Sequence, residues 1–559
     1  CLLAGISTLQ AQNDKKADDA YLGANGLFNL GLYEQAIGAY GAFLRKYPSH
    51  PKVINVQYGV GISHFQLKQY DKAAAVLGKI AGNPKCPDVP RANLFWGQSL
   101  LMLSKPANAE GAFAAGIKAL PAGKDAGLLT NLQASQLEAL FQQKKWKDVV
   151  VATKSLKGKG GNRSTRVAFQ GAFALYEMKQ FKEAGTALAS LKPSVKNTPY
   201  EQQTHFLLAE SLREQKQFPQ AIKEFEVAAS LKGDFASEAL YRLGFLQFDQ
   251  RNYKAAAKNF DDFRVKYKDS VGEEKPMQFQ DARIYLGRAQ MELNQYQIAE
   301  KVFTDLAAES KSSAKVFLWQ GRVLQRQKKY SDAVKVLDGA IKKFPNDPEM
   351  PNLLFDLANN NLGLDNFAEA GKVFDDLRKA KPDFGQMGDI LRLNALCKHR
   401  TKDFATSLKL CGDFLNDHKD HELVGDVIFL EAENQFFLEQ HAKAIVSYGA
   451  FMAAYKTHNQ INAAKMRIGQ SEFTLKNWAK ALAILEPLMT VKVTGPVFDQ
   501  LEFIVADCYY QQDNFAKAVP IYIKFADAKP KSTNADTALI KVGLASEELK
   551  KNADAIAAY

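Results

Sequence analysis

Apolar residues recur along this chain at three- and four-residue steps, in stretches of about a dozen positions broken by short polar or glycine-bearing turns. That period predicts amphipathic helices. One tetrad punctuates them: an aromatic residue, two polar or small residues, then alanine. It reads YEQA at Tyr33, YDKA at Tyr70, FKEA at Phe181, FPQA at Phe218, YQIA at Tyr296, YSDA at Tyr330, FAEA at Phe367, WAKA at Trp478 and FAKA at Phe515. HAKA at His441 and FATS at Phe404 are near matches. From Tyr330 onward the register is uniform, with Tyr330, Phe367, Phe404, His441, Trp478, Phe515 and Asn552 spaced 37 residues apart. Earlier steps vary between 34 and 43, and the longest, Tyr253 to Tyr296, is absorbed by the polar segment KDSVGEEKPMQ. Self-similarity at such a period is the mark of stacked supersecondary units. Each unit reads as two helices joined by a tight turn. In the one led by Tyr330, Phe317, Gly321 and Leu324 lie on the first helix and Ala333, Leu337 and Ala340 on the second, which ends at Pro345.

This pattern resembles the tetratricopeptide repeat, whose units carry a small residue at position 8, alanine at 20, a large apolar residue at 24 and proline at 32. The resemblance covers nearly the whole chain. Position 8 is glycine or alanine in fourteen of fifteen units, including Gly244, Gly287 and Gly321, and Leu137 is the exception. Position 20 is Ala36, Ala73, Ala109, Ala184, Ala221, Ala256, Ala299, Ala333, Ala370, Ala444, Ala481, Ala518 and Ala555, broken by Val149 and Ser407. Small side chains let two helices cross closely, and a larger one there costs roughly 1 to 3 kcal/mol by overpacking. The position-32 proline survives in some units only, at Pro48, Pro121, Pro345, Pro382 and Pro530. The expected fold is all-α: a tetratricopeptide-type α-solenoid, a right-handed superhelix of about fifteen antiparallel helix hairpins over residues 17–559, the last one truncated. Residues 90–162 hold the weakest units, led by Pro106 and Trp146, and a bend or softened junction is expected there. The stretch KGKGGN in that region is not a phosphate loop, because no strand precedes it and no Gly-Lys-Ser/Thr ending follows.

The resemblance also implies that first helices line a concave groove, with positions 2, 5, 9 and 12 facing it. Positions 5 and 12, two helical turns apart, form one aromatic stripe: Tyr21, Phe28, Tyr58, Phe65, Phe169, Tyr176, Phe206, Tyr241, Phe248, Phe355, Phe429, Phe436, Phe503 and Tyr510. Beside it, position 9 is polar in many units, among them Asn25, Gln98, Glu138, Glu210, Arg288, Arg322, Glu433 and Asp507. Two readings stay open: a groove that holds peptide by stacking and apolar contact, or a stripe packed into the core. The carboxylate clamp of chaperone-binding relatives needs Lys at position 5 and Asn at 9. No unit has that pair, so an acidic C-terminal tail is not the expected ligand.

Composition adds less. Apolar residues at 46% and charged residues at 24% are the balance of a packed protein. The net charge of +12 is a thin excess over 559 residues, without like-charged blocks or RNA-binding motifs, so nucleic acid is not an expected partner. No apolar run approaches the length of a membrane span. Cys1, Cys86, Cys397, Cys411 and Cys508 make no disulfide framework, although Cys397 and Cys411 fall on the two helices of one hairpin and are either two buried thiols or a bonded pair. His418 and His421 form the one histidine cluster, in a predicted turn where polar residues belong in any case. No catalytic motif is present and no cofactor or metal is expected.

Residues 1–12, an apolar run followed by small and polar residues and then Asp14, Lys15 and Lys16, read as the remnant of a secretory signal with cleavage near Ala11. An ordinary frayed terminus or a lipidated Cys1 are the alternatives. The expected protein is a non-enzymatic scaffold, similar in style to bacterial exported repeat proteins of outer-membrane assembly and to the Tol-Pal coordinator family. It would be periplasmic or outer-membrane associated, with cytoplasmic location as the alternative, and would bind other proteins or peptides in an envelope-associated complex. Alternatives are a recruiting or regulatory region of a larger enzyme continuing beyond residue 559, and a cell-wall glycan binder using the aromatic stripe.

Overall fold

The computed structural model describes residues 2–158, 164–270 and 278–559, with the side chains of residues 2–11 left aside. Cys1 and most of the KGKGGN and KDSVGEEKPMQ segments therefore lie outside the described residues. Within them the chain forms thirty α-helices, two short 3-10 turns and no strand. They fall into two units, residues 1–289 and 290–559. In the first, hairpins run from Leu2–Asn29 with Tyr33–Lys46 to Ala236–Asp249 with Tyr253–Tyr267. The long opening helix takes in the segment read as a signal remnant. In the second, they run from Ala314–Arg326 with Tyr330–Lys343 to Ala535–Glu548 with Asn552–Ala558. The tetrad residues Tyr330, Phe367, Phe404, His441, Trp478, Phe515 and Asn552 each open a second helix.

Inside a hairpin, the small residue at position 8 faces the large one at position 24. A Cβ added at Gly61 would lie 2.6 Å from the Leu77 side chain, one at Gly97 2.5 Å from Phe113, and one at Gly321 2.7 Å from Leu337. The position-20 alanines Ala36, Ala73, Ala256, Ala299, Ala333, Ala370, Ala444, Ala481 and Ala518 are fully buried. Gly244 is shut in by Phe260, at 2.8 Å from its would-be Cβ, and Gly287 is buried as well. The unit led by Trp146 reverses the pattern: Leu137 stands at position 8, buried, and Thr153 at 24, where it packs against Gly171 of the next first helix.

Each turn between the helices of a hairpin passes through one left-handed residue. Gly31 serves in the first unit, but Lys68, Lys144, Lys179, Lys216, Arg251, Lys328, Lys402, Lys476 and Lys550 take the same conformation, all with φ near 60°. For an L-residue this costs about 1 to 2 kcal/mol. The gain is a closed helix end: Lys402 N donates to His399 O at 3.0 Å and Asp403 N to Lys398 O at 2.8 Å, satisfying carbonyls that would otherwise face no donor.

The aromatic that leads the tetrad is the first residue of the second helix. It meets, edge to face, the ring five residues earlier at position 12: Phe28–Tyr33 at 5.7 Å, Phe65–Tyr70 at 5.7 Å, Tyr176–Phe181 at 5.7 Å, Phe248–Tyr253 at 5.3 Å and Tyr510–Phe515 at 5.3 Å. Such pairs contribute roughly 0.5 to 1.5 kcal/mol beyond burial. The tetrad is thus a clamp on the turn.

Between hairpins, the backbone N–H of the residue just before the next helix donates to the side chain two residues earlier. His50 accepts from Lys52 N (3.3 Å), Asp347 from Glu349 N (2.9 Å), His421 from Leu423 N (3.1 Å) and His458 from Gln460 N (3.3 Å). Histidine here does the work of an Asx turn.

Candidate functional site

Position 5 rings reach inward to the second helix of their own hairpin. Tyr21 meets Phe43 (6.4 Å), Tyr241 meets Phe260 (6.2 Å), Phe355 meets Phe374 (6.3 Å), Phe429 meets Phe451 (5.4 Å) and Phe503 meets Phe525 (5.5 Å). They and Tyr58 are half-buried. Phe169, against Tyr200, and Phe206, between Phe225 and Phe235, are buried. These two rings offer no face to a sugar or a peptide. Position 12 rings Phe28, Phe65, Tyr176, Phe248, Phe436 and Tyr510 are half-buried in their turn clamps. The stripe is therefore hairpin packing with an open edge, brought together unit by unit along the first helices.

Much of the polar row at position 9 is engaged within the fold. In three of the hairpins with tyrosine at position 24, its hydroxyl donates to the position 9 side chain: Tyr40 to Asn25, Tyr448 to Glu433 and Tyr522 to Asp507. Burial, reinforced by the carboxylate partner, holds the Tyr448 and Tyr522 hydroxyls well above the usual phenol range, so they stay donors. Ion pairs then link successive first helices, Arg322 to Asp356 at 2.6 Å, Arg467 to Glu433 at 2.8 Å, and Lys541 to Asp507. Burial raises the Asp356 pKa even beside Arg322. Neither the tyrosine bonds nor this ladder was read from the sequence, although the 15-residue spacing of Tyr40, Tyr448 and Tyr522 from a polar partner is a signal that could have found them.

Several first-helix side chains stay open, Phe245 and Ile540 among them, and two such places have aromatic or enclosing neighbours. In the second unit, Phe437 is 41% exposed; it stacks on Phe404 at 4.9 Å, and the Arg467 guanidinium lies 5.0 Å from its ring and 4.4 Å from Phe436. In the first unit, a hollow of about 400 Å³ opens across the helices Val89–Met102, Ala126–Gln142 and Ser164–Glu177, with Ala134 in its lining. A larger hollow of about 770 Å³ is lined by Thr153, Gly158, Ser164, Gly171 and Thr186, among others.

The remaining candidates carry no site. Cys86, Cys397, Cys411 and Cys508 are free and buried, and burial pushes the Cys397 and Cys411 thiols up to about 12. The Cys397–Cys411 pair is not bonded. His421 lies edge-on to Phe414 at 5.2 Å. Among the described residues no three His, Cys, Asp or Glu side chains gather to hold a metal ion, and no helix is long and apolar enough to cross a membrane.

Tetratricopeptide-repeat profiles match residues 21–85, 286–348 and 320–383, and a second profile of the same repeat matches 238–270. No curated protein matches the sequence. Among solved structures, the chain is similar to a tetratricopeptide repeat protein from Parabacteroides merdae, at 13% identity over 48% of this chain and 99% of that one, with a TM-score of 0.35. It is also similar to a chain of Naa15/Naa10 bound to HypK, at 12% identity over 97% and 93% with a TM-score of 0.34. A third likeness is to a chain of the Cut9–Hcn1 hetero-tetramer of the APC/C, at 12% identity over 95% and 96% with a TM-score of 0.30.

Proposed function

We propose that this chain, whose repeats match tetratricopeptide-repeat profiles over residues 21–85, 238–270 and 286–383, is a scaffold, not an enzyme, that holds partner proteins or peptides along the first-helix faces of its repeats. The observation that carries the reading is the patch at Phe437. A ring left 41% exposed, flanked by Phe404, Phe436 and Arg467, has the aromatic-and-arginine make-up enriched at protein interfaces. Phe437 stacks on a neighbouring ring, so it is rigid in advance and loses little freedom when a partner covers it. We further propose export to the cell envelope, supported by the apolar-to-small CLLAGISTLQAQ segment, and a place in an envelope-associated complex.

Affinity purification from the native cell tests the first part. Partners retained by the wild-type chain should be lost from Phe437→Ala and Arg467→Ala and kept by a change on the outer second-helix surface such as Val446→Ala. Equal retention by all three variants would remove this patch from the account. Mass spectrometry of the mature N-terminus tests export, and an intact CLLAGIS segment on cytoplasmic protein would sink it.

A further inference from the structure

Position 5 is bulky in every unit but one. Where the others place a ring or a long side chain, the fourth unit has Ala134, and the large side chain of that hairpin has moved to position 8 as Leu137. Leu137 fills the inside of the hairpin. It does nothing for the outer face, and the result is the hollow of about 400 Å³ beside Ala134. The volume lies within the range of ligand pockets.

Its walls define what it accepts. Phe65, Leu101, Met102 and Val167 supply apolar surface, and Met102 is 61% exposed at the edge. The one carboxylate, Glu138, is already satisfied: it accepts from Gln142 Nε2 at 3.1 Å, from Gln170 Nε2 at 2.6 Å and from Arg166. A charged guest would find no unpaired counter-charge inside, whereas an apolar one meets matched surface. The rim is different. Lys68, Lys105 and Lys144 stand at the hairpin turns, within three residues of the lining residues Tyr70, Met102 and Gln142. All three are exposed, and among the described residues none is held in an ion pair. Lys145 beside them is neutralised by Glu110 at 2.7 Å.

We propose that this hollow takes one bulky apolar side chain of a partner peptide, Phe, Leu or Met in size, whose neighbouring residues are acidic and lie toward the three lysines. The proposal rests on the first-helix reading above and narrows it to a partner class. It replaces the missing position 5 side chain with one from the partner.

The test is selection of a random peptide library displayed on phage against the whole chain, followed by fluorescence anisotropy of the enriched peptides. Enriched sequences should place a bulky apolar residue next to Asp or Glu. Ala134→Phe, which fills the hollow from within, should weaken binding at least about tenfold, as should replacing the apolar residue of the peptide by Ala. The two changes together should cost no more than either alone, because each removes the same contact. Met102→Glu at the rim should act likewise and guards against a folding defect in Ala134→Phe, which circular dichroism checks. Lys105→Glu with Lys144→Glu should weaken binding and flatten its salt dependence. Peptides that bind Ala134→Phe and Met102→Glu as tightly as wild type, but lose affinity for Phe437→Ala, would overturn the hollow and leave the first-helix reading standing. Peptides indifferent to all of these changes, or no enrichment, would overturn both.

Discussion

Gly469 and Gly449 are both helical glycines, yet their surroundings give them opposite roles. A Cβ at Gly469 would run into the Leu485 side chain, well inside van der Waals contact, whereas one at Gly449 meets nothing within 4 Å. Alanine is a better helix former than glycine by about 1 kcal/mol. At Gly449 that gain is unopposed, so Gly449→Ala should slow local hydrogen exchange in the helix His441–Ala454. At Gly469 overpacking of about 1 to 3 kcal/mol outweighs it, and Gly469→Ala should speed exchange in Ile461–Thr474. Equal responses at the two sites would show that the position 8 contact does not set the residue. The need for a small side chain at position 8 was legible in the sequence, including the exception at Leu137. Its partner was not, because the period places residues on a face but does not say which side chain across the hairpin they meet. For the same reason the aromatic stripe could be read as groove or core: positions 5 and 12 share a face, but one turns inward to the second helix and the other closes the turn.

The helical hairpin is defined by its ends as much as by its faces. The left-handed lysines are the least economical feature of the turn, since glycine takes this conformation without strain. Lys402→Gly removes a strain of about 1 to 2 kcal/mol and gives back about 0.5 to 1 kcal/mol in chain entropy. It should therefore raise stability modestly, read as slower exchange in Met387–Arg400 and Phe404–Asp417. Lys402→Val, with a β-branched side chain in the same conformation, should do the reverse. A destabilising glycine would mean that the lysine side chain itself holds the turn. The recurrence of the turns was legible from the 37-residue register, because turn chemistry recurs with the period. The turn acceptors His50, His421 and His458 were not, since a histidine in a polar loop carries no sign of which hydrogen bond it makes. His418 and His421, read as a candidate cluster, prove to be turn chemistry and ring packing, with Nδ1 of His421 on a backbone N–H.

Across the chain, stability is expected to be a sum of hairpin terms and neighbour contacts. Urea unfolding should then be broad, and circular dichroism should disagree in midpoint with the fluorescence of Trp96 and Trp146 in the first unit and of Trp319 and Trp478 in the second. One sharp transition shared by all probes would contradict a chain of local contacts. At this scale the sequence reading reached the architecture and stopped short of the partner, because the period does not say which first-helix side chains remain uncovered, such as Phe437 in one unit and those around the hollow beside Ala134 in the other. The most direct measurement of the central claim is site-specific photo-crosslinking in the native cell. A benzoyl-phenylalanine placed at Phe437 or Met102, on the first helices, should yield discrete partner adducts, and one placed at Val151 or Val446, exposed on second helices, should not. Adducts confined to Val151 and Val446 would contradict the account.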